Sequence, residues 1–277
     1  MQPVANAAAR PPGYEGSMKK IAVCYKWVLS DGDIRVNEKT RELDMEKCKP
    51  QVNEYDRNGL ECGVQIKKAT GRELVGITCG ASVAASTKDA LSRGLDAVYY
   101  VEDPALAELD KVGAAKVLAA AVKAVGDVDV VICSEGSSDD YAQQTGPRLA
   151  ALLDMPSVSY VVKAGAGGDA FTLERKLEEG TEVVEVTAPV VITVSPEVGD
   201  APIPGVKDII GAKKKPANAL TLAGIGVSPD TVKPRATRVS VLAPATSRRK
   251  QILNTEGVSL DQAAAALVKQ LSADGVL

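Results

Sequence analysis

The sequence predicts an α/β protein with an open, mainly parallel, doubly wound sheet, to which antiparallel hairpins and an extended C-terminal arm are added. Short apolar runs alternate with helical stretches through the first half of the chain, which favours βαβ units with right-handed crossovers. Aromatic residues make up only 3% of the 277 residues, so the core must be built from Val, Ile, Leu and Ala. After Met155 the pattern changes to strand-like segments separated by glycine-containing turns.

Four apolar runs are predicted to form the parallel strands. The first run, residues 19–28, is bounded by polar residues and is typical of a buried strand. The other three runs are residues 73–80, 96–103 and 127–136. Ligands of open parallel sheets bind outside the carboxyl ends of the strands, so we expect the residues after these runs to face a common crevice.

Helical stretches separate these runs. Residues 53–68 carry apolar side chains at helical spacing and end near Gly71, a usual helix stop. Residues 82–94 open with Ser and close with Gly, which are favoured at helix starts and ends. Further helices are predicted over residues 113–125, from about 140 to 153, and over 261–271.

The remaining segments are predicted to be less regular. Residues 34–44 fit a small hairpin or an irregular loop equally well. Turns at 165–168 and 178–180 predict antiparallel hairpins. Residues 195–216 form a long segment with Pro and Gly, of a kind that is usually functional or disordered. Residues 217 to about 255 have little periodicity and indicate an extended arm.

Composition excludes several classes of function. The chain has no histidine, which removes the commonest general base and the commonest metal ligand. It also has no P-loop, nucleophile elbow or metal-ligand spacing. Its five cysteines show no C-x-x-C pair and are interpreted as buried thiols in a reducing cytoplasm. We therefore expect a protein that binds a ligand and does not catalyse a reaction alone.

Membranes and nucleic acids are not expected partners. No apolar stretch reaches the length of about 20 residues that crosses a membrane. The formal net charge is −3, and the three lysines at 213–215 lack interleaved aromatic residues. Residues 1–17 lack the apolar segment of a signal peptide and are interpreted as a leader or a natural disordered extension.

The most informative segment follows the fourth predicted strand and leads into a helix. Its Ser and Gly residues let backbone amides approach an anion, and a helix N-terminus adds unpaired N–H groups and a favourable dipole. Its two aspartates are interpreted as helix caps or as acceptors for ribose hydroxyls, because carboxylates repel phosphate. The pattern fits either a nucleotide site or a simple capped helix start. The candidate residues are Ser134, Glu135, Gly136, Ser137, Ser138, Asp139, Asp140, Tyr141, Ala142, Gln143, Gln144 and Thr145.

Two other strand ends and the start of the first helix are expected to face the same crevice. For the cysteines at these strand ends, packing in the core and backbone contact with a ligand both fit. The candidate residues are Cys24, Asn53, Glu54, Tyr55, Asp56, Cys79 and Gly80.

Five stretches in a fixed order carry a family resemblance: VCYKWV, VNEYDRNGLE, ITCG, SSDDYAQQTG and IIGAKKKP. From about residue 18 to the C-terminus the chain resembles the beta subunit of electron-transfer flavoproteins. It is most similar to the Fix-type branch associated with nitrogen fixation and anaerobic carnitine reduction. Asp140, Gln144 and Gly146, together with the AKKKP ending, are the most specific part of the pattern. The resemblance implies a fold like that of the adenine-nucleotide alpha-hydrolases.

The resemblance also implies a heterodimer. An alpha subunit would hold most of the catalytic FAD, and this chain would bind a second adenine nucleotide, either AMP or, as in electron-bifurcating relatives, a second FAD. The implied nucleotide pocket comprises Cys24, residues 53–56, Cys79 and residues 134–145, with Tyr55 near the flavin of the partner. No residue is assigned as acid, base or nucleophile, because the flavins carry the electrons.

Further partners are implied by the segment around Val198, which matches the family loop that docks acyl-CoA dehydrogenase-type proteins. Other flavin or iron–sulfur redox proteins are alternative partners. The expected organisation is a nucleotide-binding domain with hairpins at 18–194, a docking loop at 195–216, and an arm and helix at 217–277 that pack on the partner subunit. A cytoplasmic location is expected.

Two other functions fit an α/β architecture of this kind. One is a stand-alone adenine-nucleotide sensor similar to universal stress proteins, which would not need the long region after residue 155. The other is an enzyme of the nucleotide alpha-hydrolase type, which would need a pyrophosphate loop that the sequence lacks.

Overall fold

The computed structural model describes residues 19–245, 252–253 and 256–277. The predicted leader at 1–17 lies outside the described residues. The chain forms two compact units. The larger unit contains the described residues up to 35 and residues 44–240, and the smaller contains residues 36–43 and the described residues from 241 onward.

The regular elements were assigned along the described chain. The strands are β1 (Lys20–Cys24), β2 (Trp27–Leu29), β3 (Arg35–Val36), β4 (Leu43–Asp44), β5 (Pro50–Val52), β6 (Glu73–Gly80), β7 (Ala97–Glu102), β8 (Val128–Ser134), β9 (Ser157–Gly167), β10 (Ala170–Leu177), β11 (Gly180–Thr187), β12 (Val190–Val194) and β13 (Ala217–Leu220). The α-helices are α1 (Glu54–Thr70), α2 (Thr87–Ser92), α3 (Lys111–Val125), α4 (Thr145–Leu153), α5 (Val206–Ala212) and α6 (Leu260–Ala273).

Within the described chain, nine strands form one sheet in the order β11-β10-β9-β12-β8-β1-β6-β7-β13. The pairs from β9 to β13 are parallel, whereas β10 pairs antiparallel with both β9 and β11. The chain adds β6 and β7 on one side of β1 and then places β8 on the other side. The strand order therefore reverses between β1 and β8. This topology confirms the predicted open, mainly parallel, doubly wound α/β sheet.

The core lies on both faces of this sheet. In β1, Ile21 and Val23 face one layer, and Ala22 and Cys24 face the other. Helices α1, α2 and α5 cover the first face, and α3 and α4 cover the second. Because both faces are buried, the central strands carry continuous apolar runs, and these runs allowed the strands to be predicted from the sequence.

Three predicted boundaries are wrong. The helix predicted over 82–94 is shorter, since α2 covers only Thr87–Ser92. The run at 19–28 is not one strand: β1 ends at Cys24, and β2 pairs antiparallel with β5 in a separate small sheet. The fourth helix begins at Thr145 and not near residue 140. Tyr141 and Gln143 have φ angles of 42° and 56°, and this left-handed backbone cannot continue a right-handed helix.

The region after Met155 is only partly a set of hairpins. Strands β9, β10 and β11 form the predicted antiparallel pairs, but β12 lies parallel between β8 and β9. Every residue of β12 is buried, as a central strand requires. Residues 195–216 are not wholly irregular, since they contain α5, and the predicted arm begins with the parallel edge strand β13.

The smaller unit contains the predicted C-terminal helix, α6. Ser259 opens it with a capping box: its Oγ accepts the Gln262 N–H at 3.3 Å, and Gln262 Oε1 accepts the Ser259 N–H at 2.9 Å. In the same unit, Glu42 and Leu242 form an antiparallel bridge. Across the described residues, no helix combines the length and the apolar character needed to cross a membrane.

Candidate functional site

A cavity of about 870 Å³ opens at the carboxyl edge of the sheet. It is lined by the ends of β1, β6 and β8 and by residues that follow β7. The strand order reverses between β1 and β8, which is where ligands bind in open α/β sheets. The cavity volume also lies within the range of about 300–1,000 Å³ that is typical of small-molecule sites.

Most residues predicted for the site line this cavity. They are Cys24, Asn53, Asp56, Cys79, Gly80, Ser134, Glu135, Gly136, Ser137, Asp139, Asp140, Ala142, Gln143, Gln144 and Thr145. The other predicted residues, Glu54, Tyr55, Ser138 and Tyr141, do not line it. Whether any of these residues contacts a ligand stays a prediction.

The loop from Ser134 to Gln144, which joins β8 to α4, is held in place by Asn53. This side chain is fully buried. Its Nδ2 donates to Gly136 O at 3.1 Å, and its Oδ1 accepts the Ser138 N–H at 3.1 Å. One amide group immediately before α1 therefore fixes the loop backbone at two points.

Asp56 joins the ends of β1 and β8. Its carboxylate accepts the backbone N–H of Lys26 at 2.7 Å and the hydroxyl of Ser134. Burial raises the pKa of Asp56 to about 6, although the hydrogen bonds from Ser134, Lys26 and Asn53 oppose that rise. A buried carboxyl group thus holds the cavity wall together.

Two lysines neutralise the aspartates of the loop. Lys26 Nζ lies 2.7 Å from Asp139, and Lys111 Nζ lies 3.2 Å from Asp140. Partial burial raises the pKa of Asp139, but the hydrogen bonds from Lys26 and Ser137 outweigh this effect and lower it. These ion pairs weaken the repulsion that the carboxylates would otherwise exert on an anion in the cavity.

The N-terminus of α4 opens onto the cavity. Thr145, its first residue, and Gln144 before it both line the wall. The helix lies so close to the sheet that a Cβ at Gly146 would collide with Thr193 Cγ2 of β12, so the glycine permits this approach. The interpretation of Asp139 and Asp140 as caps of this helix is wrong, because they precede its start by five residues or more. Unpaired amides at a helix N-terminus favour anions, and the binding of an anion at this end of α4 stays a prediction.

Two tyrosines form an aromatic surface next to the loop. The rings of Tyr55 and Tyr141 lie 5.3 Å apart with a 56° tilt. The Tyr141 hydroxyl donates to Glu135 at 2.5 Å, and this bond raises the pKa of Tyr141 to about 12. Tyr141 packs over Gly136, where a Cβ would stand only 2.5 Å from the ring. The tyrosine at 55 therefore has an aromatic neighbour that sequence reasoning did not pair with it.

Two cysteine thiols at this edge, those of Cys24 and Cys79, have raised pKa values. A hydrogen bond with Cys133 and burial raise the pKa of Cys24. Burial raises the pKa of Cys79 to about 12. Thiols that stay neutral near pH 7 are poor nucleophiles. Among the described residues, no group of cysteines and carboxylates could hold a metal ion.

Other lining residues were missed by sequence reasoning. Residues 26–27, 81–83 and 106–111 follow the ends of β1, β6 and β7, so the strand-end rule could have found them. Pro234 and residues 236–238 come from the segment after β13, where no local pattern marks a binding role.

Val198, the predicted docking residue, is only 7% exposed, whereas Ile203 is 93% exposed. Asn58 of α1 holds the intervening backbone by donating to Gly199 O at 2.7 Å. The docking role of Val198 stays a prediction, and its side chain could reach a partner only if this segment moved.

An open α/β sheet with a cavity at its switch point defines a class of ligand-binding proteins. The family model of the electron transfer flavoprotein domain matches residues 43–224, which is more than half of the chain. The chain therefore belongs to the electron transfer flavoprotein domain family. Its role is of the electron-transfer flavoprotein type.

Proposed function

We propose that this chain is the beta subunit of a heterodimeric electron-transfer flavoprotein of the Fix-type branch, acting in the cytoplasm. It holds an adenine nucleotide, either AMP or a second FAD. Together with a flavin-bearing alpha subunit it passes electrons between dehydrogenases, and electron bifurcation is compatible with the second-FAD form. The main support for this proposal is the cavity at the point where the strand order reverses, in a chain that belongs to the electron transfer flavoprotein domain family.

The residues around the cavity fit an adenine nucleotide. Leu106, Leu109 and Leu118 provide an apolar wall suited to a purine ring. The loop from Ser134 to Gln144 and the first residue of α4 also line the cavity, and their backbone amides suit a phosphate group. The cavity volume of about 870 Å³ accommodates a nucleotide-sized ligand.

Each part of this chain has a binding or orienting role in the proposal. Asn53 and Asp56 hold the loop and the strand ends in place. Cys24, Cys79 and Gly80 offer backbone groups at the strand ends. The hydroxyl and amide side chains of the loop supply hydrogen bonds to ribose or phosphate. When bound, the flavins carry the electrons, and the protein sets distance, orientation and electrostatics.

Partner contacts are proposed for the docking loop at 195–216 and for the arm with its helix at 217–277. The partners are the alpha subunit, and acyl-CoA dehydrogenase-type or other flavin or iron–sulfur proteins. In the docking loop, Ile203 and Val206 are 93% and 74% exposed. Their exposure suits them to meet a partner better than the buried Val198.

Co-expression with an electron-transfer flavoprotein alpha subunit tests this proposal. We expect a yellow heterodimer, from which an adenine nucleotide is recovered after denaturation. One FAD with one AMP would indicate a simple carrier, and two FAD would indicate a second flavin in this chain. A colourless complex without nucleotide would contradict the proposal. A stable homodimer that binds ATP and ignores the alpha subunit would favour a stand-alone sensor instead.

A further inference from the structure

The segment at 229–238, here called the strap, is fastened along α3. Val232 is 1% exposed and anchors the strap in the core of the larger unit. Lys116 Nζ donates to Thr231 O at 3.0 Å. The Arg235 N–H donates at 3.0 Å to Asp110, whose carboxylate also caps α3 by accepting the Gly113 N–H at 2.7 Å. The strap therefore has a defined course on the protein surface.

Beyond these anchors the strap reaches the cavity. Ala236, Thr237 and Arg238 are all lining residues. They line it together with the residues after β7 and the loop from Ser134 to Gln144. The strap thus adds side chains to the site from a region far away in the sequence.

The cationic residues that line the cavity differ in their partners. Lys26 pairs with Asp139, and Lys111 pairs with Asp140. Within the described part of the chain, the side chain of Arg238 forms neither a salt bridge nor a hydrogen bond. Its guanidinium keeps its charge and all five of its N–H donors for a ligand, in a geometry that matches phosphate oxygens.

We propose that Arg238 binds a phosphate group of the adenine nucleotide and makes the site specific for nucleotides over nucleosides. This inference rests on the proposed function, because it assigns a phosphate-recognising side chain to the same nucleotide. The loop amides and the α4 N-terminus offer partial positive charge, whereas Arg238 supplies a full one. Lys26 and Lys111 are less suited to binding the phosphate, because each already pairs with a carboxylate.

Titration calorimetry of the full chain with AMP and with adenosine tests the assignment. In the Arg238→Ala variant we expect the Kd for AMP to rise about tenfold to a hundredfold, from loss of a charge-assisted hydrogen bond, with no change for adenosine. Arg238→Lys should recover part of the AMP affinity, because it restores the charge without the planar fork.

Lys233→Ala is the matched control. It removes a positive charge from the same strap, but Lys233 pairs with Asp230 at 2.6 Å and does not line the cavity. We expect it to leave both affinities unchanged. Equal losses of AMP and adenosine affinity in Arg238→Ala, or no loss of AMP affinity, would overturn the assignment. Failure of the wild-type chain to bind either compound would overturn the proposed function and this inference with it.

Discussion

Two groups of ion pairs lie at opposite edges of the sheet and differ in how fully their charges are satisfied. At the amino edge, Arg72 is buried and donates to both oxygens of Asp129, at 3.1 and 3.0 Å. It also donates to Asp169 at 2.8 Å and to Gly168 O at 2.5 Å. At the carboxyl edge, the Lys26–Asp139 pair is nearly half exposed beside a cavity.

This difference in burial predicts that the amino edge contributes mainly to stability and the carboxyl edge mainly to ligand binding. The amino-edge network is closed: Phe171 packs on the guanidinium of Arg72, with the ring centre 5.6 Å away. Such a network has little capacity for a ligand and a high cost if one member is removed. At the carboxyl edge, Arg238 lines the cavity, and its side chain has no ion-pair or hydrogen-bond partner among the described residues. We therefore expect substitutions at the two edges to affect different properties.

The largest effect is expected at the amino edge. Arg72→Met leaves Asp129 buried without its main partner and should lower the free energy of unfolding by about 3–5 kcal/mol. AMP affinity should stay unchanged under conditions where the variant is folded. Urea denaturation and calorimetry measure the two quantities. Lys163→Met, which breaks the exposed Lys163–Glu174 pair, is the control and should leave the free energy of unfolding almost unchanged.

The next effect is a pH dependence at the carboxyl edge. The pKa of Asp56 rises from 3.8 to about 6 on folding, so the folded state binds more protons than the unfolded state between these values. The contribution of Asp56 to the free energy of unfolding is therefore fully present below about pH 4. It is lost as the pH rises through about 6, and the total loss is about 3 kcal/mol. Asp56→Asn should abolish this dependence in urea denaturation series.

Asp139→Asn is the counterpart, because the pKa of Asp139 is lowered in the folded state. The stability that Asp139 contributes is present at neutral pH and lost as the pH falls through its folded pKa. The differences between wild type and the two variants should therefore run in opposite directions with pH. A constant difference for Asp56→Asn between about pH 4 and pH 7 would show that this carboxyl does not titrate there.

A smaller effect on stability, with a distinct effect on binding, is expected at Asn53. Asn53→Ala leaves Gly136 O and the Ser138 N–H without their partner and should cost about 1–3 kcal/mol. It should also weaken AMP binding, because the loop loses both fixed points. Asn58→Ala is the matched control: Asn58 tethers residues 196–199 and not the loop. Equal AMP affinities of the two variants would argue against a role of the loop in binding.

The smallest effect is expected for the exposed pair at the cavity. Lys26→Met should change the free energy of unfolding by under about 1 kcal/mol, because both partners are nearly half exposed. AMP affinity should fall, since Asp139 then repels the phosphate without compensation. The loss should shrink at high salt, which screens exposed charges. If Lys26→Met lowered the free energy of unfolding as much as Arg72→Met, the expected difference between the two edges would be wrong.

Local patterns were sufficient to predict the parallel half of the sheet. The strand Glu73–Gly80 was predicted with its observed bounds, because a continuous apolar run between polar residues is typical of a strand buried on both faces. The same rule placed Cys79, Gly80 and Ser134 at strand ends, and the structure brings them to one cavity.

Features that depend on distant pairing could not be predicted. Strand β12 is parallel only because β8 and β9 flank it, and no local signal separates this arrangement from a hairpin. The pairing of Lys26 with Asp139 joins residues 113 positions apart. Arg238 reaches the cavity because Val232 and Arg235 fasten the strap to the α3 region. Each of these contacts is set by tertiary packing and leaves no periodic trace in the sequence.

Residue-resolved NMR of the ¹⁵N-labelled full chain during titration with AMP tests the central claim most directly. We predict that the amides of residues 134–145, together with those after β1 and β6, shift in a saturable manner, while the amides around Arg72 do not. No saturable shift, or shifts confined to the amino edge, would contradict an adenine-nucleotide site at the strand-order reversal.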